Sequence, residues 1–278
     1  MGKQISIIMG AYNCEKTLAE SLESILNQTY KDFSCYVCDD GSSDGTASVI
    51  KAYAEKDSRI VFMQSDRNCG LAVTLNRLIA LCRTPYIARM DGDDIAEPNR
   101  LEKQLQFLES HPEYDLCGSA VRYFDETGFW GEHIYPEEPE RKDFLFVNPF
   151  AHPTVMFRTS SLLKMTVLEK IQENGKNNGI YSEDPRTGRS EDYELFMRMY
   201  AKGMKGYNFQ EPLLQYRENR AAYTKRKFKY TFAEARVRFI GFKKLNLLPR
   251  GLIYVIKPVI IGLIPPKMRL KLRKRYYK

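Results

Sequence analysis

The sequence predicts an α/β protein: a mainly parallel sheet flanked by helices, with a basic helical appendage at its C-terminal end. Three observations predict it. Four short apolar runs recur at similar spacing, at Ile5–Met9, Phe33–Cys38, Ile60–Met63 and Tyr86–Met90. A helical pattern fills each gap between them. The basic side chains gather after residue 219.

Runs with little internal alternation read as strands covered on both faces, and one helix between each pair makes a parallel crossover. The first helix, Thr17–Leu26, places Leu18, Leu22, Ile25 and Leu26 at helical spacing. Thr46–Ala54 follows an Asp-Gly turn, and Leu71–Leu81 follows Asn68-Cys69-Gly70. After Leu116 the rhythm changes. Leu116–Phe124 and Trp130–Tyr135 read as strands, and prolines punctuate positions 136, 139, 149 and 153. The polar, Gly- and Asn-rich stretch Lys170–Arg189 reads as a loop. Asp192–Lys202 reads as a helix with Gly203 at its C-terminal end, and Arg220–Leu245 as a long basic helix.

At 278 residues, with 43% hydrophobic and 28% charged side chains, the chain is long enough to bury a full core. Its net charge of +8 is unevenly spread. Residues 220–278 hold 18 Lys or Arg and one acid, Glu234, leaving 25 basic against 34 acidic side chains in residues 1–219. A nucleic-acid enzyme carries positive charge around its site, so the acidic balance of residues 1–219 argues against nucleic acid as the partner. The six cysteines lie in or beside expected strands and helices rather than in a disulfide framework. Cys35 and Cys38 point to opposite faces of one strand, which makes them buried thiols. The N-terminal segment has no signal-peptide pattern, and the expected compartment is a reducing cytosol.

Chemistry concentrates past the strand ends, where ligands bind in such sheets. Asp91-Gly92-Asp93-Asp94 places three carboxylates in four residues after the fourth strand. They repel one another unless a cation sits among them. Residues two apart in an extended segment face the same side, so Asp91 and Asp93 are the expected ligands of one Mg²⁺ or Mn²⁺ beside a substrate phosphate, with Gly92 between them. The alternative is an acidic turn leading into the helix after Pro98. In the first loop, Gly10-Ala11-Tyr12-Asn13 followed by Glu15 is suited to stack a base on Tyr12 and to hydrogen-bond it through Ala11, Asn13 and main chain. Asp40, in Asp39-Asp40-Gly41-Ser42, is suited to accept from uracil or ribose, or to close a tight turn. No G-x-G-x-x-G follows the first strand, and no G-x-x-x-x-G-K-[ST] occurs, so neither a dinucleotide fold nor a P-loop is expected.

These residues carry a resemblance. Ile5-Ser6-Ile7-Ile8-Met9-Gly10-Ala11-Tyr12-Asn13, the Asp39–Thr46 turn, Asn68-x-Gly70-Leu71-Ala72 and Asp91-Gly92-Asp93-Asp94 resemble family 2 glycosyltransferases of the GT-A fold, bacterial cell-surface polysaccharide type. His152–Arg158 and Ser190–Leu195 extend the match, which runs from about Lys3 to Arg217. Gly10-Ala11 stands where the family often has Pro-Thr. The resemblance implies a Rossmann-like mixed sheet in residues 1–219, with a nucleotide-binding half (1–115, including Asn68 and Gly70) and an acceptor-binding half (116–219). It implies inverting transfer from a nucleotide sugar, most often a UDP-sugar, with a divalent cation. It also implies that the aspartate of a Glu-Asp pair is the catalytic base. Two strings compete, Ser182-Glu183-Asp184 and Ser190-Glu191-Asp192. The second opens the amphipathic helix, so Asp192 is the expected base, with favourable charge at a helix N-terminus as its alternative role. Glu191 is then placed to orient acceptor or sugar. His152 either lines the acceptor side or makes a structural hydrogen bond. Leu214-Gln215-Tyr216-Arg217-Glu218-Asn219 lacks the tryptophan of the processive Gln-x-x-Arg-Trp motif, which favours addition of one sugar, to a lipid-linked oligosaccharide.

The tail suits a membrane surface. The strongly apolar stretch Gly251–Ile264, interrupted by Lys257 and Pro258, spans about 21 Å as a helix of fourteen residues, short of a bilayer core of roughly 30 Å. The basic cluster Lys267–Arg275 that follows is attracted by anionic lipid. The expectation is peripheral attachment to the cytoplasmic face of the bacterial inner membrane; a helix packed on the core is the alternative. Two other functions compete with glycosyl transfer. A sugar nucleotidyltransferase needs a Gly-rich basic phosphate loop after the first strand, and Gly10–Asn13 has none. A non-enzymatic membrane- or nucleic-acid-binding protein has no use for the acidic cluster.

Overall fold

The computed structural model describes residues 4–166, 179–218, 228–265 and 268. The expected loop at Lys170–Arg189 falls partly outside that range, as do the first residues of the expected Arg220–Leu245 helix. Four strands and three helices alternate as expected: β1 (Ile5–Ala11), α1 (Glu15–Leu26), β2 (Phe33–Asp39), α2 (Thr46–Lys56), β3 (Ile60–Gln64), α3 (Leu71–Ile79) and β4 (Tyr86–Asp91). β5 (Ile95–Ala96) and α4 (Arg100–Ser110) follow, then β6 (Leu116–Asp125), β7 (Gly128–His133), β8 (Met156–Arg158) and α5 (Thr159–Leu163). The chain ends with α6 (Glu191–Ala201), β9 (Gly206–Arg217), α7 (Lys229–Lys244) and α8 (Leu252–Leu263).

Among the described residues nine strands form one mixed sheet in the order β3-β2-β1-β4-β8-β6-β9-β5, with β7 paired to β6. β1 pairs in parallel with β2 on one side and β4 on the other. The chain therefore reverses its direction of winding at β1, and the crevice past β1 and β4 is the switch point where α/β sheets bind ligands. β5 leaves β4 after one turn yet pairs antiparallel with β9 at the far end of the path, so the sheet curls back on itself.

Both faces are covered, as the unbroken apolar runs require. Ile5, Ile7 and Met9 belong to one core with α1, α2 and α4, while Ile8 faces a second core with α3, α6 and α7. Cys35 lies in the first core and Cys38 in the second, as expected of residues three apart on a strand. All six cysteines are free.

β9 was not expected. It contains Pro212, which cannot donate to a ladder, and the structure accommodates it by register shifts: Ser119 pairs with Phe209 but Ala120 pairs with Pro212. The described part of the expected basic helix packs on the core. α7 buries Val237 and Phe242, with Leu245 just past its end, in the second core, among Phe196 and Met197 of α6. Arg238, itself buried, reaches the Leu145 carbonyl (3.1 Å), pairs with Glu234 (3.1 Å) and lies over the Tyr193 ring. Phe242→Ala is therefore expected to cost about 3–5 kcal/mol, read as a lower urea midpoint. A loss within about 0.5 kcal/mol, the usual effect of a surface change, would mean that α7 is not part of the core.

Candidate active site

The site is assembled at the carboxyl ends of β1, β2 and β4. In the pairing register Ala11 lies beside Asp39 and Gly10 beside Asp91, so the first loop and both acidic turns share one edge. A cleft of about 1210 Å³ opens there, lined by Ala11, half-exposed Tyr12, Asp40, Asn68, Gly70 and Glu191 among others. Tyr230 of α7 and the string Ser182-Glu183-Asp184 form part of its wall.

Its floor is held by a lattice of hydrogen bonds. Both oxygens of buried Asp40 accept from the loop before α3, from Cys69 N–H (2.9 Å) and Gly70 N–H (2.8 Å). The turn after it needs glycine: Gly41 has φ +70°, and a Cβ there would lie 2.5 Å from the Arg67 carbonyl carbon. Asn13 and Glu15, like Asp91, Asp93, Asp94 and Asp192, are not among the residues that line this cleft. Asn13, with φ +49°, accepts from Ser43 N–H (2.9 Å), and Glu15 accepts from Gly45 N–H (3.1 Å), so both tie the first loop to the second turn.

Asp91, Asp93 and Asp94 converge, with ligand oxygens all within 4.8 Å of one another. The reason differs from the one read in the sequence. β4 ends at Asp91, and a turn rather than an extended segment brings Asp93 back toward it. Ser21 donates to the Asp91 carbonyl (2.8 Å) and Thr17 to the Gly92 carbonyl (3.2 Å). From β9, Arg217 donates through Nε to the Asp93 carbonyl and through its N–H to Asp94 Oδ1, both at 2.8 Å. Withdrawal from bulk water and then the Asp91 charge push the Asp93 carboxyl up to about 6. Burial, then the charges of Asp93 and Asp91, push Asp94 well above the usual carboxylate range. Asp94 Oδ2 is buried with no hydrogen-bond partner among the described residues. Crowded hard oxygens and an orphaned buried acceptor fit a divalent cation.

The second acidic pair reaches the cleft through Glu191. Glu191 and Asp192 open α6. Asp192 accepts from Asn148 Nδ2 (2.9 Å) and from Tyr193 N–H (2.7 Å), and burial raises its pKa. Burial first, then Asp192, raises Glu191 to about 7. The competing Asp184 is engaged otherwise: it pairs with Arg186 (2.7 Å), which holds it below the usual range. Asn76 of α3 donates to Glu183 and to the Tyr181 carbonyl, both at 2.9 Å, and so pins the first string to the wall. His152 makes the structural hydrogen bond. It is buried, neutral because burial lowers its pKa, and bonded through Nε2 to the Tyr181 hydroxyl (2.8 Å).

The residue that sequence reasoning missed is Arg89. It is 2% exposed, ion-paired to Asp91, and its Nε and Nη1 have no partner among the described residues. Its charge favours the ionised forms of Asp93, Asp94, Glu191 and Asp192 alike. The signal was present: an arginine in the middle of an otherwise apolar strand, two residues before the acidic turn. Asn148 and Asn76 left no comparable trace.

Comparison with known proteins decides the family. A family model described as "Glycosyl transferase family 2" matches residues 6–172. The chain belongs to the family 2 glycosyltransferases. It is 39% identical over 278 residues to EpsE of Bacillus subtilis, covering 100% of this chain and 94% of that one. It is 34% identical over 218 residues to the O-antigen biosynthesis glycosyltransferase WbnJ of Escherichia coli, covering 77% and 79% of the two chains. The UDP-Glc:α-D-GlcNAc-diphosphoundecaprenol β-1,3-glucosyltransferase WfaP of Escherichia coli is 29% identical over 240 residues, covering 86% and 87%.

Among solved structures, S. aureus TarS 1–349 in complex with UDP aligns with a TM-score of 0.65 at 16% identity, over 97% of this chain and 78% of that one. The match covers 43% of a longer TarS chain. The mannosyltransferase PcManGT from Pyrobaculum calidifontis, in complex with GDP-Man and Mn²⁺, aligns with a TM-score of 0.59 at 17% identity, over 99% and 81%. At such identities the likeness speaks for the fold, and the GT-A expectation holds. Nothing in these comparisons points to nucleotidyl transfer or to a purely binding role.

The raised pKa of Glu191 has a measurable consequence. A carboxyl that holds its proton more tightly when folded, at about 7 against 4.5, costs no stability below the unfolded value. The cost grows as pH rises toward 7 and is complete above it. Glu191→Gln is expected to melt above wild type at about pH 8 and together with it at about pH 4; a pH-independent offset would contradict the assignment.

Proposed function

We propose that the protein transfers one sugar, with inversion, from a UDP-sugar to a hydroxyl of a lipid-linked oligosaccharide in surface polysaccharide synthesis. The observation that carries the reading is that the Asp91–Asp93–Asp94 cluster, at the end of β4, lies close enough to Glu191 in the cleft lining for the Asp91 charge to act on it. Residues 1–115 hold the donor and 116–219 the acceptor. Tyr12 offers its half-exposed ring to the uracil, and the chain around Ala11, Asn68 and Gly70 offers main-chain groups to the nucleoside. Asp91, Asp93 and Asp94 would hold Mn²⁺ or Mg²⁺, which would supply positive charge against the charge that develops on the departing diphosphate.

Asp192 is the general base. Asn148 and the Tyr193 N–H fix its carboxylate, and a raised pKa suits a group that must take a proton in the transition state. The acceptor oxygen bonds to the anomeric carbon as the bond to the UDP oxygen breaks, and the hydroxyl proton passes to Asp192. Glu191, in the cleft lining, orients acceptor or donor sugar. The O-antigen biosynthesis in the name of WbnJ supports a surface-polysaccharide setting, and the name of WfaP a diphosphate-lipid acceptor. No helix among the described residues is long and apolar enough to cross a membrane. Peripheral attachment at the cytoplasmic face of the bacterial inner membrane, aided by the basic tail, completes the reading.

Two variants test it. Asp93→Ala is expected to abolish metal-dependent binding of UDP-sugar. Asp192→Asn is expected to retain donor affinity and to lose about 10²–10⁴-fold in transfer. An Asp192→Asn protein that transfers at the wild-type rate, while Asp184→Asn does not, would move the base to the other string.

A further inference from the structure

The C-terminal helices carry an apolar surface that the reaction does not use. On α8, Ile253, Ile256, Ile260 and Leu263 are 70%, 55%, 58% and 71% exposed. Their spacing of three, four and three residues puts them on one helix face. The other face is occupied: Pro258 is buried, Tyr254 and Val255 pack on the second core, and Gly262 lies so close to α7 that a Cβ would stand 2.7 Å from Thr231 Cγ2. α8 is thus held by its back and presents a row of branched aliphatic side chains to solvent. Scattered exposed apolar residues are ordinary; a contiguous row is a contact surface.

We propose that this face of α8 inserts into the headgroup layer of an anionic bilayer, lying in the plane of the membrane. Twelve helical residues reach about 18 Å, too short for a hydrocarbon core of roughly 30 Å but suited to an interfacial helix. Charge selects lipid over a second copy of the chain. Lys243, Lys244 and Arg250 are exposed around the α7–α8 turn, and the sequence of residues 267–278 adds seven Lys or Arg and no acid. Two such surfaces repel each other, whereas anionic headgroups attract both.

The position of this face relative to the cleft gives the contact a purpose. Half-exposed Phe146 packs edge-on against Tyr254 of α8, and Lys257 Nζ donates to the Phe146 carbonyl (2.9 Å). Two residues later Asn148 holds Asp192. Insertion of α8 therefore seats the base side of the cleft next to the lipid surface, where an acceptor carried on a membrane lipid presents its sugar. That last step rests on the reaction proposed above; the lipid contact does not.

The test is cosedimentation of the full-length protein with vesicles of phosphatidylcholine alone or with about one-third phosphatidylglycerol. Wild type is expected to bind the anionic vesicles and to keep part of that binding in high salt. Ile256→Glu/Ile260→Glu is expected to lose at least about tenfold in partition, with urea midpoint and UDP–Mn²⁺ affinity unchanged. Ile256→Gln/Ile260→Gln, which adds no charge, is expected to lose binding in the same direction. Vesicle binding by both variants equal to wild type would overturn the proposal. So would a wild-type dimer that the substitutions dissociate without vesicle binding in either protein. Intact, substitution-sensitive vesicle binding in a protein that turns over no nucleotide sugar would support the lipid contact while removing the proposed reaction.

Discussion

Too many carboxylates for one cation is the constraint on which the site depends. Asp91, Asp93 and Asp94 crowd the end of β4, Glu191 and Asp192 crowd the start of α6, and one buried guanidinium, Arg89, acts on both groups. Uncompensated charge in a partly dry cleft either takes up protons or recruits a cation. The raised pKa values of Asp93, Asp94 and Glu191 are the first of these responses, and a divalent metal would be the second. Much of the local architecture keeps the acids from separating. Hydroxyls of α1 hold the carbonyls of the acidic turn, Arg217 holds its far side, and Asn148 holds Asp192.

The same constraint explains the topology around the cleft. Residues from β4, α1, β9 and α6 must meet, although α1 and β9 lie about two hundred residues apart in sequence. The curl that pairs β5 with β9 delivers Arg217 onto the turn that follows β4. Antiparallel β8, inserted between β4 and β6, links the strands β1–β4 to β6 and β9. Tyr230 of α7 then closes part of the wall, so the basic C-terminal segment contributes to the cleft as well as to the second core.

Local physics was legible where a segment's surroundings are uniform. β1 to β4 are apolar on both faces, so their runs stood out, and the helices between them carried clear spacing and turn residues. The acidic cluster and the Glu-Asp pair were legible because carboxylates at such density need a reason. β9 was hidden because Pro212 and Gln210-Glu211 break the strand pattern, and only a bulged register against β6 accommodates them. Asp94 was passed over because an extended segment would point it away from Asp91 and Asp93; the turn reverses that. Arg89 stood in plain view, but its partners lie up to a hundred residues away, and no local rule assigns them.

The central claim is that the Asp91–Asp93–Asp94 turn holds a divalent cation beside the nucleotide. The most direct measurement is electron paramagnetic resonance of Mn²⁺ titrated into the full-length protein, without and then with UDP. The account predicts one bound ion per chain, whose signal changes when UDP is added and which disappears in Asp93→Ala. Free Mn²⁺ at every concentration of protein and UDP would contradict it.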